Sequence, residues 1–121
     1  MEDVKFNFED LDVWKKAVDF SVDIIQMTES LNTARKHFRL IEQLESCSTS
    51  IALNIAEGKG RFSKKEFVRF LYVSRGSLFE TITLLIIFRK LKWVDDTQLR
   101  KLKVQGIEIG KMINGLAKSI E

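Results

Sequence analysis

Apolar positions recur along this chain at intervals of three and four, the period of one face of an α-helix, and they do so in four blocks. In the first, Leu11, Trp14, Val18, Ile25 and Leu31, with Ala17 and Ile24 alongside, define a helix over about 8–30. Acids crowd its first turns, where the helix dipole favours them. Ser30-Leu31-Asn32-Thr33 supplies turn and cap residues. The second block places Phe38, Ile41, Leu44, Ser48, Ile51 and Ile55 on one face of a helix over about 34–56. Beside that face runs a stripe of polar or small residues, Gln43, Cys47, Ser50 and Asn54, which lets a neighbouring helix come close and offers it hydrogen bonds. Leu53 points away from the apolar face and suggests a subunit contact.

The boundary after this helix is the sharpest in the chain. Gly58 is expected to stop the helix as a left-handed C-terminal cap. Ser63-Lys64-Lys65-Glu66 has the form of a capping box, in which serine and glutamate each take the other's backbone N–H. The third helix then covers about 64–90, with Phe67, Leu71, Ser74, Leu78, Ile82 and Leu85 on its core face. Its second half, Ile82 to Phe88, is apolar on nearly every side, and a helix apolar all round is buried all round. In so small a bundle that implies cover from a second chain, with Leu84, Ile86, Ile87 and Phe88 joining Leu53 as contact candidates. Gly76, in mid-helix, marks close packing or a tolerated defect. After a turn capped by aspartate or threonine, Leu99, Leu102, Gly106, Ile109, Ile113, Leu116 and Ile120 define a fourth helix over about 97–119. Gly106 and Gly110 mark close packing there. Four helices of similar length on short turns predict an all-α, antiparallel up-down-up-down four-helix bundle.

Length and composition agree. A chain of 121 residues is expected to form one domain over 1–121. With no proline and only six glycines it is short of the turn residues that an all-β chain needs. The single cysteine, Cys47, excludes an internal disulfide and suits a reducing compartment. No basic, apolar leader opens the chain. The longest unbroken apolar run, Leu84 to Phe88, is too short to span a membrane, so the expected location is the cytoplasm.

Net charge is +3, unevenly spread. Residues 1–34 carry eight acids against three lysines, and the stretch 58–75 carries six basic residues against one acid. Such asymmetry marks either a polyanion-binding face or an acidic helix packed beside basic ones. Lys59, Arg61, Lys64, Lys65 and Arg69 are the candidate nucleic-acid contacts. Phe62 is either a stacking partner for a base or a hydrophobic staple against Phe67, and Tyr72 is a second candidate for stacking. Gly58-Lys59-Gly60-Arg61-Phe62-Ser63 lacks the spacing of a phosphate-binding loop and follows a helix where a strand is required, which excludes nucleotide hydrolysis. Glu57 sits at a helix C-terminus, where the dipole disfavours an acid, and needs a partner such as Arg61 or Arg75. Asn54, Glu57, Gly58, Ser63 and Glu66 are the candidate structural residues of the turn.

Little points to catalysis. His37 and Cys47, the only residues of their kinds, stand about 15 Å apart along a continuous helix and form no dyad. One His and one Cys make no zinc site, and the absence of an ExxH pair removes the di-iron signature. The expectation is a non-enzymatic protein with no metal and no cofactor.

Several segments together resemble a known family. Phe8-Glu9-Asp10-Leu11-Asp12-Val13-Trp14-Lys15-Lys16-Ala17 resembles the opening of the bacterial four-helix-bundle family named for proteins encoded in intervening sequences of 23S ribosomal RNA. Gln43, then Ser50-Ile51-Ala52-Leu53-Asn54-Ile55-Ala56-Glu57-Gly58, resembles its SIxxNIAEG signature, and Glu66 with Phe70-Leu71 and Gly76-Ser77-Leu78-Phe79-Glu80 resembles its third-helix pattern. The chain departs from that pattern in having Leu31-Asn32-Thr33 where the family often has proline. It also has Glu45 and Ser46 where the family often has basic residues. Most members of the family have no established activity. The resemblance implies a cyclic homo-oligomer, a pentamer in related proteins, and kinship with retroelement accessory proteins that bind a reverse transcriptase and nucleic acid. The function expected from residues and resemblance is an oligomeric helical scaffold that binds RNA or a nucleoprotein partner through a basic face. The alternative is a protein–protein interaction module with no nucleic-acid role.

Overall fold

The computed structural model describes residues 4–31, 33 and 36–121. Four helices carry the fold: α1 (Asp12–Glu29), α2 (Phe38–Lys59), α3 (Lys64–Lys90) and α4 (Asp96–Ile120), preceded by a 3-10 turn at Asn7–Asp10. α1 packs on α2, α2 on α3, α3 on α4 and α4 on α1, which closes the bundle. Leu44, Ile51, Ile55, Leu71, Leu78, Leu85, Phe88, Ile109 and Ile113 fill its centre.

The first helix starts later than the periodicity predicts, because Leu11 is extended (φ −73°, ψ 121°) and separates the 3-10 turn from α1. The Glu9 carboxylate accepts the Phe6 N–H at 2.8 Å and anchors that turn. The buried face of α1 is Val13, Ala17, Phe20, Ile24 and Met27, with Trp14, Val18 and Ile25 only half-buried. The predicted stripe is thus turned by about one residue. The predicted start of the second helix, Ala34, lies outside the described residues. α2 begins at Phe38, after His37 in the left-handed region (φ 67°), whose ring is tilted against that of Trp93 with 4.9 Å between their centres. Phe38, predicted on the core face, is 62% exposed.

Gly58 does not stop α2. The helix runs on to Lys59 and is capped at Gly60 with φ −82°, and no described glycine has positive φ. Gly58 is glycine for a different reason: a Cβ there would meet the Phe70 Cβ at 2.6 Å. The left-handed cap is at the other end of α3. Lys92 has φ 66°, its N–H donates to the Arg89 carbonyl at 3.0 Å, and the Trp93 N–H donates to the Phe88 carbonyl at 2.9 Å. That is a Schellman ending, with Trp93 packed edge-on against Phe88 at 4.8 Å as its hydrophobic contact.

α3 spans the residues predicted for it, but only half of the capping box forms. Ser63 Oγ accepts the Glu66 N–H at 3.1 Å, while the Glu66 carboxylate turns outward to Arg69 Nε at 3.2 Å. At α4 the box is complete, Asp95 taking the Gln98 N–H at 2.8 Å and Gln98 the Asp95 N–H at 2.9 Å. α3 is long and apolar enough, by length and composition, to cross a membrane. In the bundle its apolar side, Phe70, Leu71, Leu78, Leu84, Leu85 and Phe88, faces inward. This corrects the reading of Leu84 and Phe88 as subunit contacts: both are buried within the single chain, Phe88 against Trp93 of the α3–α4 turn. Ile86 is half-buried, and Ile87 and Leu53 are exposed.

Candidate functional site

The stripe of small and polar residues on α2 meets α3 as the sequence predicts. Gln43 Nε2 lies 3.3 Å from Glu80 Oε2, Thr81 Oγ1 3.2 Å from Cys47 Sγ, and Ser50 Oγ 2.9 Å from Ser77 Oγ. Ser74 Oγ donates to the Ile51 carbonyl at 2.8 Å. From Gln43–Glu80 through Ser50–Ser77 to Ile51–Ser74, the partners move back along α3 as they move forward along α2. The Asn54 amide donates to the Ser50 carbonyl and Oγ, each at 2.8 Å, so Asn54 belongs to this seam and not to the turn. Cys47 is buried within it, and burial pushes its thiol pKa up.

Where the seam ends, the chain turns through Gly60–Ser63, and all five candidate cations gather at this end of the bundle. Glu57 finds its partner in Arg61, at 2.9 Å. Arg75, the other candidate, bonds Asn114 Oδ1 at 2.8 Å. The Arg61 guanidinium lies 4.8 Å from the centre of the Phe70 ring and that of Arg69 lies 4.5 Å from it, while Lys59 Nζ is 5.8 Å from the Phe67 ring. Such contacts hold cations in place without neutralising them. Lys64 and Lys65 stand on the first turn of α3 and line a shallow recess with Val68, Ile120 and Glu121. Neither makes an ion pair among the described residues. Phe62 forms no staple against Phe67; its side chain is fully exposed, at 109% of its reference area. Tyr72 is committed elsewhere, its hydroxyl donating to Glu121 Oε1 at 2.9 Å, and that bond raises its pKa. His37 and Cys47 do not come together, and no cluster of His, Cys, Asp and Glu among the described residues is placed to hold a metal ion.

The acids of the first helix are not neutralised within the bundle: Lys16, a cation of α1 itself, pairs with Glu108 at 2.9 Å, and Asp23 accepts only the uncharged amide of Gln105, at 2.9 Å. Its neighbour there is α4.

A second feature was not foreseen. Between α3 and α4 lies a groove of about 590 Å3 lined by Leu78, Phe79, Ile82, Gly106, Ile107 and Gly110, with Lys103 and Lys111 on its rim. The signal existed in the sequence: Phe79 and Ile107 each fall one position off the core stripe, on helices that face each other.

A search of curated proteins gives no match. Among solved structures, this chain is similar to the crystal structure of a protein of unknown function from the S23 ribosomal protein family of Bacteroides thetaiotaomicron. The TM-score is 0.81 at 24% identity, over 88% of this chain and 98% of that one. At that identity the likeness carries the fold. The sequence model described as 23S rRNA-intervening sequence protein matches residues 9–115, nearly the full length of the bundle. The chain therefore belongs to the 23S rRNA-intervening sequence protein family.

Proposed function

We propose that this chain is a single-domain, non-enzymatic, cytoplasmic scaffold. Its four helices run up-down-up-down, it assembles into a homo-oligomer, and it binds RNA through the turn between α2 and α3. One observation carries the RNA reading: a fully exposed phenylalanine, Phe62, stands among five cations of which Lys59, Lys64 and Lys65 make no ion pair among the described residues. Cations hold a phosphate backbone, and an unengaged aromatic ring offers a face to a base. The family's link to a 23S rRNA intervening sequence adds to that reading. The opposed order of the α2–α3 contacts supports the helix topology. The groove between α3 and α4 favours the second reading, a protein–protein module, and supplies the surface for assembly.

Titration of a labelled RNA at several salt concentrations tests this. Contact with four or five phosphates of a single strand gives a slope of log K on log salt of about −3. Lys64→Glu with Lys65→Glu flattens that slope and weakens binding. Absence of binding at low salt overturns the RNA reading and leaves the protein-binding one.

A further inference from the structure

We propose that the groove between α3 and α4 receives the outward ridge of α2 from a second copy of this chain, in a head-to-tail contact. The inference rests on the oligomeric reading above and assigns its two surfaces.

The groove is built for a close approach. Gly110 leaves its floor at backbone level, since a Cβ there would meet only Leu78 Cδ2, at 3.5 Å. Its walls are exposed apolar side chains, Phe79 at 62% and Ile107 at 60%. Its lining includes two lysines, Lys103 and Lys111, and no acid.

The complementary surface is on the same chain. Phe38, Glu42, Ser46, Thr49 and Leu53 follow one another at spacings of four, four, three and four, which puts them on a single outward stripe of α2. Leu53 is 65% exposed and has small side chains N-terminal to it, so it stands as a knob on a low ridge about 22 Å long. The ridge carries Glu42, with Arg39 near its N-terminal end; Glu57, beyond Leu53, is already engaged by Arg61. Glu42 makes no ion pair among the described residues. A leucine knob beside small residues fits a trough floored by glycine, and Glu42 on the ridge is the acid open to a lysine on the rim. The competing arrangement, groove against groove, sets four lysines together with no acid to offset them. Because groove and ridge are different surfaces, their contact is heterologous and repeats from copy to copy until a ring closes.

Cysteine cross-linking of the full chain tests this. In a Cys47→Ser background, Leu53→Cys, Ile107→Cys and the double variant are treated with a short bismaleimide, and light scattering records subunit number. The expected result is a ladder of covalent multimers from the double variant and no cross-linked product from either single variant. Ile107→Glu, at an exposed position, is expected to convert the assembly to monomer with its helical circular dichroism intact. Cross-linking of Ile107→Cys alone shows groove-to-groove pairing and overturns the proposal. A multi-subunit protein with no ladder overturns the assignment of surfaces but not the oligomeric reading, and a monomer at micromolar concentration overturns both.

Discussion

The two flanks of α3 solve the same packing problem in opposite ways. Towards α2, Cys47 and Ser50 face Thr81 and Ser77, Ser74 bonds the Ile51 carbonyl, and Gly58 admits Phe70, so that hydroxyls cross the gap and fix its width. Towards α4, the small residues Gly106 and Gly110 stand on one helix only and meet the long side chains Leu78 and Ile82. The first flank closes and becomes part of the core. The second closes at Gly106, where a Cβ would lie 2.9 Å from Ile82 Cδ1, and stays open beyond it as a groove. A glycine seals a helix pair where a facing side chain takes the place of its missing Cβ, as Phe70 does at Gly58 and Ile82 at Gly106, and leaves a trough where none comes that close, as at Gly110.

Substitution at Gly58 tests the closed flank most severely. A Cβ at this site meets a Cβ, which cannot swing aside as the end of a flexible side chain does. Gly58→Ala is expected to destabilise the fold by about 2 kcal/mol, in the range of overpacked cores. Urea unfolding at fixed protein concentration measures it. An unchanged midpoint shows that α2 and α3 are free to move apart, and the contrast between the flanks then fails. Ser74→Ala comes next, at about 1 kcal/mol, since it removes one buried hydrogen bond to the Ile51 carbonyl and leaves a small void. A loss as large as that at Gly58 means that the hydroxyls, not the missing side chains, set the spacing.

The closed flank was legible in the sequence and the open one was not. The stripe Gln43, Cys47, Ser50, Asn54 announced a close neighbour because its residue types recur at helical spacing. The extent of α3 was legible for the same reason: Ser63 caps its start with a local hydrogen bond. Gly58 misled because glycine ends helices more often than it admits a facing side chain, and only the position of Phe70 separates the two uses. The true left-handed cap, Lys92, carries no glycine, so composition hid it. Leu84 and Phe88 misled because an apolar run does not say which of its sides the chain's own helices cover. The five cations were found by charge density along the chain. That Phe62 stands bare among them depends on a staple failing to form, which no local pattern reports.

Gly110→Ala is the smallest expected effect and the most discriminating. It is the same chemical change as Gly58→Ala in another helix. The new methyl enters ordinary contact with Leu78 Cδ2 at 3.5 Å and meets nothing closer. Helix propensity then decides the sign, and replacing a mid-helix glycine by alanine is expected to stabilise by about 0.5–1 kcal/mol. Opposite signs for one substitution at Gly58 and Gly110 establish that the first glycine answers to packing and the second to an open surface. The measurement belongs at low protein concentration, because a ridge seated in the groove would add its own stabilisation to the folded state and lose it when the methyl raises the floor. Thus a gain in the dilute protein that shrinks as concentration rises places a second chain on the glycine floor, and a gain that holds at every concentration leaves the groove free.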